Sequence, residues 1–147
     1  MPEPWDSLAR LQYNIYRRGW TVVHLKRDVE AAEGRFIDDF DIVPVLRKRE
    51  KCIKDDAILV RAREMGADMG ECVLNLFERL RADIPMEHAE KHHLLLFPGV
   101  IVNDAHGSPH IPGLYCIKGV WTVDLYAVDP NEWDDEDYFI VPKKQGA

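Results

Sequence analysis

The sequence predicts a single α+β domain over residues 1–147, in which an antiparallel sheet of about five strands packs on one long amphipathic helix (about 56–83) and an N-terminal helix (about 6–18). Three observations support this fold class. A chain of 147 residues has the usual length of one domain. An apolar fraction of 46% is enough to form a core. Strand-like segments also follow one another with little helix between them, which favours an antiparallel sheet with helices on one face.

The first third of the chain predicts one helix and two strands. Asp6 is a suitable N-cap, apolar residues recur after it at helical spacing, and Gly19 supplies a C-terminal stop. Residues 20–25 are rich in β-branched and aromatic side chains, which predicts a strand. Residues 36–46 predict a second strand, and Pro44 indicates either an edge strand or a bulge there because proline cannot donate a hydrogen bond to a ladder.

The strongest periodic pattern in the chain predicts the long helix, residues 56–83. Asp55 and Asp56 precede it as capping residues. Gly66 and Gly70 lie inside the pattern, and each costs roughly 1 kcal/mol relative to alanine in a helix interior, so a kink or a break there stays open. The apolar residues that step by three or four along one helical face are Ile58, Ala62, Met65, Met69, Cys72, Leu76 and Leu80.

The second half of the chain predicts mostly strands. Residues 94–102 form an apolar segment that is interrupted at Pro98-Gly99. Residues 114–128 alternate around Lys118-Gly119, which predicts a hairpin with a two-residue turn. Residues 138–141 predict a last strand.

The composition indicates a folded protein in a reducing compartment. The formal net charge is −7, and residues 65–147 carry it, since 6 Lys+Arg against 14 Asp+Glu give −8. The three cysteines are widely spaced and form no C-x-x-C pair, which argues against a disulfide framework. The sequence shows no signal-peptide pattern and no apolar run of membrane-spanning length. We therefore expect a cytoplasmic protein without a membrane partner.

Five of the six histidines fall within 23 residues. On the short helix predicted at the start of this region, His88 and His92 have the i,i+4 spacing that places two imidazoles on one face at metal-chelating distance. His106 and His110 form a second pair beyond the apolar segment. Nine extended residues span about 30 Å, so the two pairs form one site only if Pro98-Gly99 folds the segment back.

These histidines give two interpretations. If they hold zinc or another divalent metal, the protein is a metal-dependent enzyme, a hydrolase or a nuclease. In the interpretation that we prefer, they lie in a polar connector and a solvated loop, and the protein needs no cofactor. Asp39 and Asp41 also share a strand face, but no third acid or Gly-Ser turn accompanies them. No catalytic residue is predicted, because no H-E-x-x-H, G-x-S-x-G or phosphate-binding glycine motif occurs.

An acidic segment with embedded aromatic residues covers residues 129–139. Aromatic rings supply contact area and carboxylates steer a basic partner, so this composition suits protein recognition. Trp133 is the expected apolar anchor, unless it folds back onto the core. The predicted partner-binding residues are Glu132, Trp133, Asp134, Asp135, Glu136, Asp137 and Tyr138.

The sequence therefore predicts a small acidic interaction protein without catalysis, either an inhibitor or a subunit of an assembly. The expected partner is a protein with a basic surface, and a homo-oligomer is compatible with the sequence. Residues 47–54 are basic, but the run is short and contains no aromatic residue for base stacking, which argues against nucleic acid.

Overall fold

The computed structural model describes residue 12 and residues 15–143, which form a seven-stranded mixed sheet, a two-stranded ribbon and short helices. The strands are β1 (Thr21–Leu25), β2 (Phe40–Pro44), β3 (Ile53–Lys54), β4 (Leu94–Leu96), β5 (Val100–Asn103), β6 (Pro109–Ile117), β7 (Val120–Ala127), β8 (Glu132–Trp133) and β9 (Asp137–Pro142). The helices after residue 18 are α1 (Val29–Ala32), α2 (Ala57–Glu64), α3 (Glu71–Arg79) and α4 (Met86–Glu90), with 3₁₀ turns at Ile37–Asp39 and Arg81–Asp83.

The large sheet has the order β1-β5-β6-β4-β9-β2, and β7 pairs with the other edge of β6. β4 and β9 are parallel, while the other pairs are antiparallel. The predicted antiparallel sheet of about five strands is therefore wrong. The reason is that β9 returns to the sheet beside β4 after the intervening hairpin and ribbon, in the same direction as β4. β3 and β8 pair only with each other.

The predicted long helix over residues 56–83 is also wrong, because the helix is interrupted between Gly66 and Gly70. After α2, Gly66 has a φ of +65°. The Ala67 N–H donates to the Ala62 carbonyl at 2.7 Å and the Gly66 N–H to the Arg63 carbonyl at 3.2 Å, the two hydrogen bonds of a Schellman cap. α3 begins only after Gly70, and its nine residues make it the longest described helix after residue 18.

The break allows the two helices to cover opposite faces of the sheet. Ile58 of α2 belongs to one buried cluster and Phe77 of α3 to the other. Leu95 and Leu96 of β4 are both fully buried and belong to different clusters, because successive strand residues point to opposite faces. The central strands are thus covered on both sides, whereas the sequence predicted helices on one face only.

The predicted N-terminal helix, residues 6–18, mostly lies outside the described residues, although residues 15–18 are helical. Other predicted elements are confirmed. Ile117 pairs with Val120 across Lys118-Gly119, so residues 114–128 do form a hairpin. β2 is an end strand of the sheet and contains Pro44, as expected from proline. No helix in the described part of the chain is long and apolar enough to cross a membrane.

Candidate functional site

The turn between β8 and β9 projects three carboxylates into solvent. The Asp134 N–H donates to Asp137 Oδ2 at 2.9 Å, and the Glu136 N–H donates to Asp134 Oδ1 at 2.9 Å. The Asp137 N–H then donates to the Asp134 carbonyl at 3.2 Å. These bonds fix the backbone of the turn and leave Asp134, Asp135 and Glu136 exposed.

More carboxylates adjoin this turn through the β3–β8 ribbon. Lys54 pairs with Glu132 in the ribbon, which brings Asp55 close to the segment before β8. The Asn131 N–H donates to Asp55 Oδ1 at 2.9 Å, and the charge of Asp55 raises the pKa of Asp129 above its usual value. We call the resulting surface the acidic face; its carboxylates belong to Asp55, Asp56, Asp129, Glu132, Asp134, Asp135 and Glu136.

Sequence reasoning left three members of the acidic face out of the partner-binding residues: Asp129, although it lies in the predicted acidic segment, and Asp55 and Asp56. It treated Asp55 and Asp56 as caps of the following helix, but Asp56 makes no side-chain capping hydrogen bond and Asp55 bonds to Asn131 instead. Their only sequence signal is the charge itself, because the β3–β8 pairing is a tertiary contact.

Trp133 lies inside the protein. Its side chain is 1% exposed, packs in the cluster that also contains Ile53 and Phe139, and donates its indole N–H to the Asp55 carbonyl at 3.2 Å. The structure therefore places Trp133 in the core. It is not an exposed anchor, and the alternative that it folds back onto the core is the correct one. Of the other predicted partner-binding residues, Glu132 and Asp134–Glu136 are exposed, while Asp137 and Tyr138 are half-buried.

Two buried histidines pack behind the turn. His88 Nδ1 and His93 Nδ1 are 2.8 Å apart, the distance of a hydrogen bond. The His93 ring stacks on Tyr138 at 4.2 Å, and the His88 ring meets Tyr138 edge-on at 5.3 Å. The parallel pairing of Leu95 with Tyr138 brings them together. The sequence considered the histidines and the acidic segment separately, but the fold joins them at Tyr138.

The histidine pair requires at least one neutral ring, since one Nδ1 must donate and the other must accept. Burial lowers the pKa of His88, and the charge of His93 lowers it further. Burial also lowers the pKa of His93, followed by the charge of Lys91. Burial thus favours the neutral form of both rings, and in the hydrogen bond one Nδ1 carries the proton while the other accepts it.

The four histidines considered as metal ligands do not form one site. α4 ends at Glu90, and His92 follows it with a φ of +55°, so His88 and His92 do not share a helical face. His106 is exposed, and His110 packs on Trp20 with ring centroids 4.5 Å apart. Within residues 15–143, no three His, Cys, Asp or Glu side chains are placed to hold a metal ion.

Asp39 and Asp41, which were predicted to share a strand face, have different surroundings. Asp39 Oδ2 accepts the Phe36 N–H at 2.7 Å and so stabilises the 3₁₀ turn before β2. Asp41 is exposed and lines a cleft of about 230 Å³ beside α4, together with Asp38, Glu87, His88 and Lys143.

Comparison with known protein families, with curated protein sequences and with solved structures finds no match to this chain.

Proposed function

We propose that this protein is a small non-catalytic interaction protein that binds a protein partner with a basic surface through the acidic face. One observation carries the proposal: seven carboxylates lie on the β3–β8 ribbon and the segments that adjoin it, and among them only Glu132 pairs with a cation of the described residues, Lys54 at 3.9 Å. The other six carboxylates form no salt bridge with any described residue. A surface that serves only solubility has both signs of charge interspersed.

Electrostatics explains what such a face does. Like charges disfavour each other's ionised form, and the charge of Asp55 raises the pKa of Asp129 for this reason. A cationic partner removes this repulsion on binding. Complementary charge also raises the association rate, and added salt lowers it again by screening. The hydrogen-bonded turn holds Asp134 and Glu136 in place before the partner arrives, which reduces the entropy lost on binding.

The alternative function, a metal-dependent hydrolase or nuclease, receives no support from the geometry. Its predicted ligands His88, His92, His106 and His110 lie in different surroundings, with only His88 buried. The interaction protein is therefore the function that the arrangement supports best, whether it acts as an inhibitor or as a subunit of an assembly.

The test compares two variants with the same change in charge. The first neutralises the turn with Asp134→Asn, Asp135→Asn and Glu136→Gln. The second neutralises exposed acids elsewhere, with Glu30→Gln, Glu33→Gln and Asp83→Asn. The probe is a fluorescent peptide rich in lysine and arginine, and its association with the full chain is measured by anisotropy at several salt concentrations.

We expect the turn variant to slow association and to reduce its dependence on salt, while the control variant binds like the wild type. Circular dichroism is used to check that both variants fold. Equal effects of the two variants would mean that the peptide senses only net charge, and the proposal would then be wrong. A basic protein captured from a lysate is afterwards tested with the same pair of variants.

A further inference from the structure

Strand β7 is an open edge of the large sheet, since it pairs with β6 and with no other described strand. The other two edge strands carry features that hinder further pairing. The register of β1 is interrupted between Val22 and His24, and β2 contains Pro44, which has no N–H. β7 has eight residues in an unbroken register and no proline. A long, regular edge of this kind presents a row of backbone groups to which another strand can pair.

The turn of the β6–β7 hairpin decides which residues of β7 direct these groups outward. Lys118 and Gly119 have φ values of +51° and +79°, both positive as in a type I′ turn. Such a turn makes Ile117 and Val120 a hydrogen-bonded pair. Because hydrogen-bonded and non-bonded pairs alternate along an antiparallel ladder, the even-numbered residues of β7 bond to β6. The odd-numbered residues therefore direct their N–H and C=O groups away from the sheet.

Two side-chain hydrogen bonds agree with this alternation. The Leu125 N–H donates to Asp124 Oδ1 at 2.8 Å, and Asn131 Nδ2 donates to the Ala127 carbonyl at 2.8 Å. Both backbone groups belong to odd-numbered residues of β7. For Trp121 and Val123, the remaining residues that matter here, no described residue bonds to the outward N–H and C=O groups.

The side chains of the outward residues form a half-covered apolar row. Trp121, Val123 and Leu125 are half-buried and pack against the buried cluster that contains Phe77. Thr122 and the other even-numbered residues at the centre of β7 point to the opposite face and are exposed. A further strand beside β7 would bury the remaining apolar area of the row.

We propose that β7 pairs with β7 of a second copy of this chain, antiparallel about a two-fold axis at Val123, so that the two sheets join into one. Val123 then faces Val123 as a hydrogen-bonded pair, and Trp121 of each copy faces Leu125 of the other, which places the two apolar rows side by side. On the opposite face Thr122 lies across from Asp124 of the other copy. The Asp124 carboxylate accepts this threonine hydroxyl and releases the Leu125 N–H to the Trp121 carbonyl of the other copy.

The residue pattern of β7 selects a second copy and this register. Moving the axis to Asp124 would set two carboxylates directly opposite each other, which is destabilising. Moving it to Thr122 would place Asp124 opposite an apolar side chain. In the proposed register Lys118 lies opposite Val128 of the other copy and next to its Asp129. Lys118 is exposed and forms no salt bridge with any described residue, so its ammonium is complementary to that carboxylate.

The first experiment measures the average mass of the full chain by sedimentation equilibrium, from about 1 µM to about 1 mM. We expect the mass to rise with concentration from 17.0 kDa towards twice this value. Hydrogen exchange of the same samples locates the contact. The Trp121 and Val123 amides should exchange about tenfold more slowly, or slower still, in the dimer. The Thr122 and Asp124 amides, which bond to β6, should be protected at every concentration.

Two variants test the backbone and the charge of the contact. Val123→Pro removes the outward N–H and no bond to β6, and should raise the dissociation constant of the dimer about tenfold or more. Lys118→Glu should raise it about two- to thirtyfold, because two exposed ion pairs are lost in each dimer. Lys143→Glu, the same change of charge beyond the end of β9, is the matched control and should have a smaller effect. Protection of the Thr122 and Asp124 amides reports that the hairpin of each variant is folded. If Val123→Pro loses this protection, Lys118→Glu and its control decide.

Three results would overturn the inference. The first is a constant mass of 17.0 kDa over the whole range, which would exclude a second copy and leave the edge to a strand of another protein. The second is equal exchange of the Trp121 and Val123 amides in the monomer and the dimer. The third is equal weakening by Lys118→Glu and Lys143→Glu. The inference does not depend on the proposed function, because a variant with Asp134, Asp135 and Glu136 neutralised should dimerise at least as tightly as the wild type.

Discussion

Asp137 is a carboxyl group that the folded chain disfavours in its ionised form. Burial raises its pKa to about 6 from 3.8, and the charges of Asp134 and Glu136 add to the shift, while the hydrogen bond from the Asp134 N–H opposes it. The folded pKa is above the unfolded one, so the folded state binds the proton more tightly. The stabilisation that this proton gives is complete below about pH 3.8 and disappears as the pH rises through about 6.

Asp137→Asn should therefore stabilise the protein at pH 8 and have little effect at pH 4. Asparagine keeps a carbonyl oxygen for the Asp134 N–H and carries no charge. Since Asp137 is partly exposed, solvent screening reduces the gain to about 1 kcal/mol, less than the full pKa shift implies. Urea unfolding at both pH values measures the difference. Asp135→Asn at an exposed position is the control, and a loss of stability at both pH values in the Asp137 variant would contradict the prediction.

The sequence predicted the residues of the turn but not the depth of each one. An aromatic residue within an acidic segment can be either a surface anchor or a core residue. Its neighbours in the chain do not distinguish the two. The position of Trp133 is decided by the register of Ile53 against Trp133 in a two-residue ribbon, too short to leave a periodic signal. His88 and His93 meet for a similar reason, because the hydrogen bond from the His93 N–H to the His88 carbonyl belongs to a turn after α4.

At the scale of elements, the apolar stripe from Ile58 to Leu80 has the spacing of one helix, but the structure divides it between two helices, α2 and α3. Periodicity reports which positions are buried, and it is right only in part. Met65, Cys72 and Leu80 are half-buried, while the other four residues of the stripe are buried. Periodicity does not report that the two halves of the stripe face different sides of a sheet. Gly66 and Gly70 were the available signal, since a glycine in a helix interior destabilises it and a positive φ suits the end of a helix.

α3 depends on a capping residue that is distant in the sequence. Gly70, which precedes it, has no side chain, and Asp28 supplies the acceptor instead. Asp28 Oδ2 accepts the Gly70 N–H at 2.6 Å, and Oδ1 accepts the Cys72 N–H at 2.9 Å. A carboxylate at the N-terminus of a helix also interacts favourably with the helix dipole. The cap thus ties the segment before α1 to the start of α3.

Asp28→Gly should destabilise the protein by about 1–2 kcal/mol, the usual cost of losing an N-cap side chain. Glycine is chosen because Asp28 has a φ of +42°, a conformation that glycine adopts readily, so that the variant keeps the backbone of this turn. Asp28→Asn keeps one carbonyl acceptor and should cost less. Hydrogen exchange of the Gly70 and Cys72 amides should accelerate in the glycine variant. Unchanged exchange at both amides would show that the cap contributes nothing to α3.

At the scale of the whole molecule, the two faces of the sheet are connected beside Gly99. Between α2 and α3 the chain passes from the cluster that contains Ala67 to the cluster that contains Met69. The Gly99 N–H donates to the Met69 carbonyl at 2.8 Å at this crossing. Pro98-Gly99 was predicted to interrupt the apolar segment, and β4 and β5 are indeed separated there. The parallel partner of β4 was not predictable, because no local pattern records it.

Gly99→Ala should destabilise both cores together. A Cβ at this position would lie 2.5 Å from the Asp68 carbonyl oxygen and 2.7 Å from backbone atoms of Met69, so backbone must move, and we expect a loss of about 3 kcal/mol. Gly113→Ala is the matched control in β6, since its Cβ would press at 2.8 Å on the flexible Leu94 side chain and should cost less. Urea unfolding followed at the amides of Ala62 in α2 and Leu74 in α3 gives one midpoint for each face. If the crossing couples the faces, both midpoints fall equally in the Gly99 variant; a fall at Leu74 alone would mean that the faces unfold independently.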